Sequence, residues 1–190
     1  MNPHQATQHL VASIVAVKFD LARIYTHWSV RGPKLEASTA VTAMAQEEAG
    51  HARVLAGLLE PAAPGHVVES LRAPIVSWPQ MVGTAGPADI GVARLTRVLA
   101  SCGHQQLRSR MGKMSQEEAF HEAFFRGWSE LLKAESGPVE RSFEESWARS
   151  GAEVQAWLLA IDELAAAGGL AESGQVAREC NPAAFLESVP

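Results

Sequence analysis

Apolar side chains recur along this chain at alternating steps of three and four residues, the spacing that places them on one face of an α-helix. Leu10, Ile14, Val17, Leu21 and Ile24 form the clearest such run. No window has the pattern of a β-strand. The spacing predicts five helices, which cover about residues 8–30, 33–60, 77–101, 104–135 and 138–168.

Proline and glycine mark the connections between these helices. Residues 61–76 are rich in both and predict a long connection with at most one short helical turn. Ser77 ahead of Trp78-Pro79 is typical of a capped helix start. Gly86-Pro87 is expected to kink or restart the third helix, because proline removes one helical hydrogen bond.

These elements predict one domain over residues 1–190 with an all-α fold. Four helices over about 8–135 are expected to form the core bundle, and the fifth helix, over about 138–168, is expected to pack outside it. Residues 169–190 are expected to form an irregular tail.

Composition and charge exclude several classes of function. The net charge is −5 and only 19% of residues are charged, which gives no reason to expect nucleic-acid binding. The first thirty residues lack the features of a secretory signal, and no apolar run is long enough to predict a membrane span. Cys102 and Cys180 are isolated and suggest neither a disulfide nor a zinc site. The expected protein is soluble and cytoplasmic.

Two near-identical hexapeptides carry the chemistry of the sequence. They are Gln-Glu-Glu-Ala-Gly-His at 46–51 and Gln-Glu-Glu-Ala-Phe-His at 116–121. Each contains Glu-x-x-His, so Glu48 and His51 share one helix face, as do Glu118 and His121. Two such helices supply half of a di-iron or di-manganese site in a ferritin-like bundle. Because Glu48 and His51 fall within the apolar stripe of the second helix, we interpret the pairs as metal ligands.

The other two core helices normally contribute one carboxylate each to such a site. Asp89 is the only acidic residue between Glu69 and Glu117, so it is the candidate from the third helix, although it could instead cap a helix after Pro87. In the first helix the matching position holds Lys18, and Asp20 points elsewhere. A lysine there could replace the charge of one metal ion, because buried carboxylates need a cation beside them.

The residues around these motifs resemble a known family. The stretches Trp28-Ser-Val-Arg-Gly-Pro-Lys-Leu-Glu36 and Ala45-Gln-Glu-Glu-Ala-Gly-His-Ala-Arg53 resemble the phenylacetate catabolic proteins, the ferritin-like subunits of bacterial phenylacetyl-CoA epoxidase. The similarity resumes at Ser77-Trp78 and is strong again at Phe120-His121 and Arg126-Gly-Trp128. The resemblance implies one of two roles. The family's catalytic subunit uses a di-iron site and O2 to epoxidise an aromatic CoA thioester, whereas its structural partner has the same fold without the full ligand set.

The matched ligands are Glu48, His51, Asp89, Glu118 and His121, whereas Lys18 stands where the catalytic subunits have Glu. One interpretation is therefore an oxygenase that binds one or two irons, or manganese, with Lys18 and Tyr25 as candidate catalytic residues. The alternative is a non-catalytic partner in which Lys18 neutralises a vestigial site. The resemblance implies a homodimer or a sister oxygenase subunit as partner, and a CoA thioester as substrate.

Overall fold

The computed structural model describes residues 1–60, 65–101 and 103–170, and within these ranges the chain is helical, without strands. The helices are α1 (Pro3–Trp28), α2 (Leu35–Ala56), α3 (Trp78–Leu99), α4 (Gln105–Ala134) and α5 (Pro138–Ala167), with a short 3-10 helix at Glu69–Arg72. The all-α prediction is confirmed. The irregular tail predicted for residues 169–190 lies, from residue 171 onward, outside the described ranges.

Helix α1 starts five residues earlier than the apolar pattern predicts. Asn2 accepts a hydrogen bond from the Gln5 backbone N–H, and the Gln5 side chain accepts one from the Asn2 backbone N–H. This capping box, with Pro3 in the first turn, satisfies backbone groups that would otherwise lack partners. Helix α2 ends at Ala56 rather than near Glu60.

Helix α3 runs through Pro87 without a break, so it does not restart there. Ser77 caps the helix as predicted by accepting from the Gln80 backbone N–H. The whole segment around Pro87 is buried, which lets packing compensate for the missing hydrogen bond. Gly83 and Gly86 allow a close approach, because a Cβ would lie 2.6 Å from the Phe143 carbonyl oxygen and 2.6 Å from the Trp147 ring, respectively.

The helices form two hairpins, α1 with α2 and α3 with α4, joined by the long connection over residues 57–77. A four-helix bundle with one long crossover is the ferritin-like arrangement. Helix α5 packs mainly on α3 and buries Phe143, Val154 and Trp157. In the described part of the chain, no helix is long and apolar enough to cross a membrane.

Candidate metal centre

Each of the four core helices places a polar side chain in the middle of the bundle. The seven residues that the sequence singles out all meet there: Lys18 and Tyr25 from α1, Glu48 and His51 from α2, Asp89 from α3, and Glu118 and His121 from α4. Six of them have 0% exposed surface, and His51 has 7%. The duplicated Glu-x-x-His motifs therefore face one another, which is the geometry that their spacing predicts. Asp89 lies within α3 and is not a helix cap.

Lys18 occupies the centre of this group. Its Nζ donates to both carboxylate oxygens of Glu48 at 3.0 Å and to Glu118 Oε1 at 2.5 Å. The same Nζ lies 3.4 Å from His51 Nδ1. One ammonium thus links the carboxylates of both motifs, as the interpretation of Lys18 as a charge substitute predicts.

The two histidines bind across the bundle in a crossed pattern. His51 Nε2 lies 2.6 Å from Glu117 Oε2, and His121 Nε2 lies 2.8 Å from Glu47 Oε2. Each imidazole therefore directs Nε2 to an acid of the other motif and Nδ1 to the buried group. A carboxylate on the outer nitrogen fixes the ring orientation of a metal-binding histidine, so both rings are held with Nδ1 inward.

Asp89 joins the group through two side chains. The Tyr25 hydroxyl donates to Asp89 Oδ2 at 2.5 Å, and His121 Nδ1 lies 3.2 Å from the same oxygen. Its other oxygen, Oδ1, is buried and has no hydrogen-bond partner among the described residues, and the same is true of Glu118 Oε2. Buried carboxylate oxygens without partners are costly, so these two atoms mark where an additional cation or donor would be stabilised.

The pKa values of the two motif carboxylates, Glu48 and Glu118, are shifted in opposite directions. Burial raises the pKa of Glu48 to about 8; Lys18 opposes this shift, and the nearby Glu118 and Asp89 carboxylates add to it. Burial also acts upward on Glu118, but the Lys18 ammonium and the His51 hydrogen bond outweigh it and lower the pKa to about 2. Glu118 is therefore the ionised partner of Lys18, and Glu48 holds a proton more readily.

The cations of the group are stabilised in turn. Burial works against the charged form of Lys18, but Glu48 and Glu118 more than offset it, and its pKa is raised above the ordinary value. His121 is similarly buried, yet Asp89 raises its pKa to about 10. For Tyr25, burial and then the Asp89 charge raise the pKa, so the phenol stays protonated and remains a hydrogen-bond donor. Two cations thus face the buried carboxylates near pH 7.

The donor set could hold a metal ion. Glu48, Asp89, Glu118 and His121 each offer one ligand atom, and these atoms lie within 4.8 Å of one another. Carboxylate oxygens with one imidazole suit iron and manganese. The two oxygens without partners, Asp89 Oδ1 and Glu118 Oε2, fit one such ion. A second ion would compete with the Lys18 ammonium for Glu48.

The spacing of the motifs does not predict which acid each histidine contacts. Glu47 and Glu117 each precede a motif carboxylate by one position, which predicts a surface position or an outer hydrogen bond that could orient a histidine. In the structure, each contacts the histidine of the other motif. The available signal was the acid that precedes each ligand in both hexapeptides. Asp20 points away from the site as predicted and pairs instead with Arg72.

Comparison of the sequence with protein-family models and with curated proteins gave no match.

Proposed function

We propose that this chain is a ferritin-like subunit in which Lys18 takes the place of one metal ion, and that it acts as the non-catalytic partner of a metal-bearing sister subunit. The observation that carries the proposal is the Lys18 ammonium, which is fully buried and donates to both Glu48 and Glu118. In a di-metal site, these two carboxylates would bind the ions.

Charge favours the lysine over a second ion. The pKa of Lys18 is raised by its two carboxylate neighbours, although burial opposes the shift, so the ammonium stays protonated at neutral pH. A divalent ion at the same place would have to expel a cation that already forms three hydrogen bonds to Glu48 and Glu118. Glu48 and Glu118 therefore already share a cation, and a second metal ion would have to displace it.

The resemblance to the phenylacetate catabolic proteins supports the second half of the proposal. In that family, the partner of the oxygenase subunit keeps the fold and lacks the full ligand set. This chain has lysine at the position where the catalytic subunits have Glu. Its sequence around Trp28 and at Arg126-Gly-Trp128 is more similar to the structural partner.

A second candidate is a redox protein with one metal ion. The observation that favours it is the pair of buried oxygens without partners, Asp89 Oδ1 and Glu118 Oε2, beside His121. Iron bound there would supply O2-dependent oxidation, and the resemblance implies an aromatic CoA thioester as substrate. In this case Tyr25 would hold Asp89 in place, and Glu47 would hold the His121 ring.

Metal analysis separates the two candidates. The parent chain and the Lys18→Glu variant would be loaded with ferrous iron without oxygen, freed of excess metal and analysed for iron per chain. We expect Lys18→Glu to retain about one or two irons, because the change restores the fourth carboxylate, and the parent to retain none. Lys133→Glu, an exposed change on α4, is the matched control.

The outcomes are decisive for each candidate. A parent chain that holds one iron, and loses it in an Asp89→Asn variant, would establish the second candidate and refute the neutralised site. Iron in neither protein would eliminate the redox candidate.

The partner role requires in addition a stable complex with a metal-bearing ferritin-like chain of the same organism after co-expression. Light scattering that detects no such complex would contradict that role.

A further inference from the structure

A second concave site lies at the surface, between the C-terminal half of α1 and the segment that follows the 3-10 helix. The cleft has a volume of about 300 Å³, at the small end of the range for ligand pockets. It is lined by Arg23, Ile24, His27, Trp28, Arg72, Ala73, Pro74 and Ile75. None of these lining residues is acidic, and the cluster of buried acids does not contribute to it.

The two arginines of the cleft are held in place from behind. Arg72 Nε donates to Asp20 Oδ2 at 2.9 Å, and Arg23 Nε lies 3.9 Å from Asp20 Oδ1. The Arg23 guanidinium also donates to the Leu71 carbonyl. Their remaining N–H groups are available to a ligand, and little side-chain freedom is left to lose on binding. Glu69 also acts on Arg72, so a ligand carboxylate would be held by the directed N–H groups of the two arginines rather than by net charge.

The floor of the cleft is apolar and rigid. Ile24 and Trp28 are buried, with 2% and 6% of their surfaces exposed. The Trp28 ring packs edge-on against the Trp78 ring at 5.8 Å between centroids, which fixes the indole. Pro74 and Ile75 form the opposite side. An aromatic ring inserted here would contact Trp28 and apolar side chains, which are favourable partners for a flat apolar group.

We propose that this cleft binds a small organic anion with an aromatic body, such as a ring carboxylate of the size of benzoate. The carboxylate would accept hydrogen bonds from Arg23 and Arg72, and the ring would pack between Trp28 and Ile75. Arginine suits this role because its planar fork matches a carboxylate. The proposal is independent of any metal at the buried cluster.

Titration of the full-length chain with three probes tests the ligand class. Benzoate carries both the charge and the ring, benzamide lacks the charge, and acetate lacks the ring. We expect saturable shifts of the Trp28 indole N–H signal in NMR with benzoate, and at least about tenfold weaker binding of the other two, since a charged hydrogen bond and ring burial each contribute more than about 1.4 kcal/mol. Equal binding of acetate would show a non-specific anion patch and overturn the proposal.

Two variants test the residues. Arg72→Gln and Arg23→Gln should each weaken benzoate binding about fivefold or more, since each removes one charge-assisted donor. Arg97→Gln is the matched control, because Arg97 pairs with Glu122 and its side chain is 47% exposed, against 46% for Arg72. Unchanged binding in both cleft variants, with unfolding temperatures equal to the parent's, would refute the site, as would the absence of saturable benzoate binding to the parent.

Discussion

Replacing Lys18 with Met would remove the buried ammonium while keeping a side chain of similar length. Glu118, whose pKa is lowered to about 2 against the effect of burial, would then be a buried carboxylate without its main cation. Removing one partner of a buried ion pair typically costs about 3–5 kcal/mol. We expect the free energy of unfolding to fall by this amount, which is a large part of the roughly 5–15 kcal/mol available to a domain.

Urea unfolding followed by helical circular dichroism at pH 7 would measure this loss. Lys133→Met is the control, because Lys133 is exposed on α4 and its replacement should change stability by no more than about 0.5 kcal/mol. The slope of the unfolding transition should match the parent's, since Met fills the same space and the exposed area on unfolding is nearly unchanged.

A compensating change tests whether charge, rather than packing, causes the loss. In the double variant Lys18→Met with Glu118→Gln, the ionised carboxylate that pairs with Lys18 is neutral, so we expect about half of the lost stability to return. Lowering the pH should have the same effect in the single variant, because a protonated Glu118 no longer needs a cation. The reasoning is refuted if Lys18→Met is as stable as the parent at pH 7, or if the double variant is no more stable than the single one.

Two further predictions concern pH and packing. Asp89 outweighs burial and raises the pKa of His121 to about 10, so its stabilising contribution is complete below about pH 6.5 and is lost as the pH rises to 10. Burial raises the pKa of Glu48 from 4.5 to about 8, so this group also makes stability fall with rising pH, between about pH 4.5 and 8. The unfolding temperature should therefore drop between pH 6.5 and 10, and less steeply in His121→Gln; equal slopes would contradict this. Separately, Gly83→Ala should destabilise, because its Cβ would meet the Phe143 carbonyl at 2.6 Å, whereas Gly127→Ala, with nothing within 4 Å, should stabilise the helix by about 0.5–1 kcal/mol in urea unfolding. The opposite order would contradict the packing argument.

The helices and the meeting of the acidic motifs were predictable because both follow from short-range periodicity. Glu48 and His51 fall on the apolar face of α2, and Glu118 and His121 fall on the apolar face of α4, so each pair is expected to be buried. The position of Lys18 followed from its register along α1. In the structure it is fully buried. The role of these side chains as metal ligands stays a prediction.

Other features depend on contacts between distant parts of the chain and have no local signal. The path of α3 through Pro87 is set by the helices that cover it, which a helix-breaking rule does not consider. The crossed contacts of Glu47 and Glu117 depend on how α2 and α4 face each other, because each acid reaches the histidine of the other helix. The α1 start was missed for a different reason: the cap at Asn2 is polar and lies outside the apolar pattern.

A lysine among carboxylates changes what the fold requires. A cluster with four acids and two histidines repels itself unless metal ions are bound, so folding of such a chain depends on metal supply. With Lys18 in place of the fourth acid, one anion is exchanged for one cation, and the ammonium contacts Glu48 and Glu118 directly. If the proposal is correct, the bundle is expected to fold and stay folded without metal. A subunit whose task is to support a partner gains from this independence, whereas a di-iron enzyme would lose the carboxylate that its second ion needs. The proposed partner role and the buried lysine thus rest on the same physical requirement.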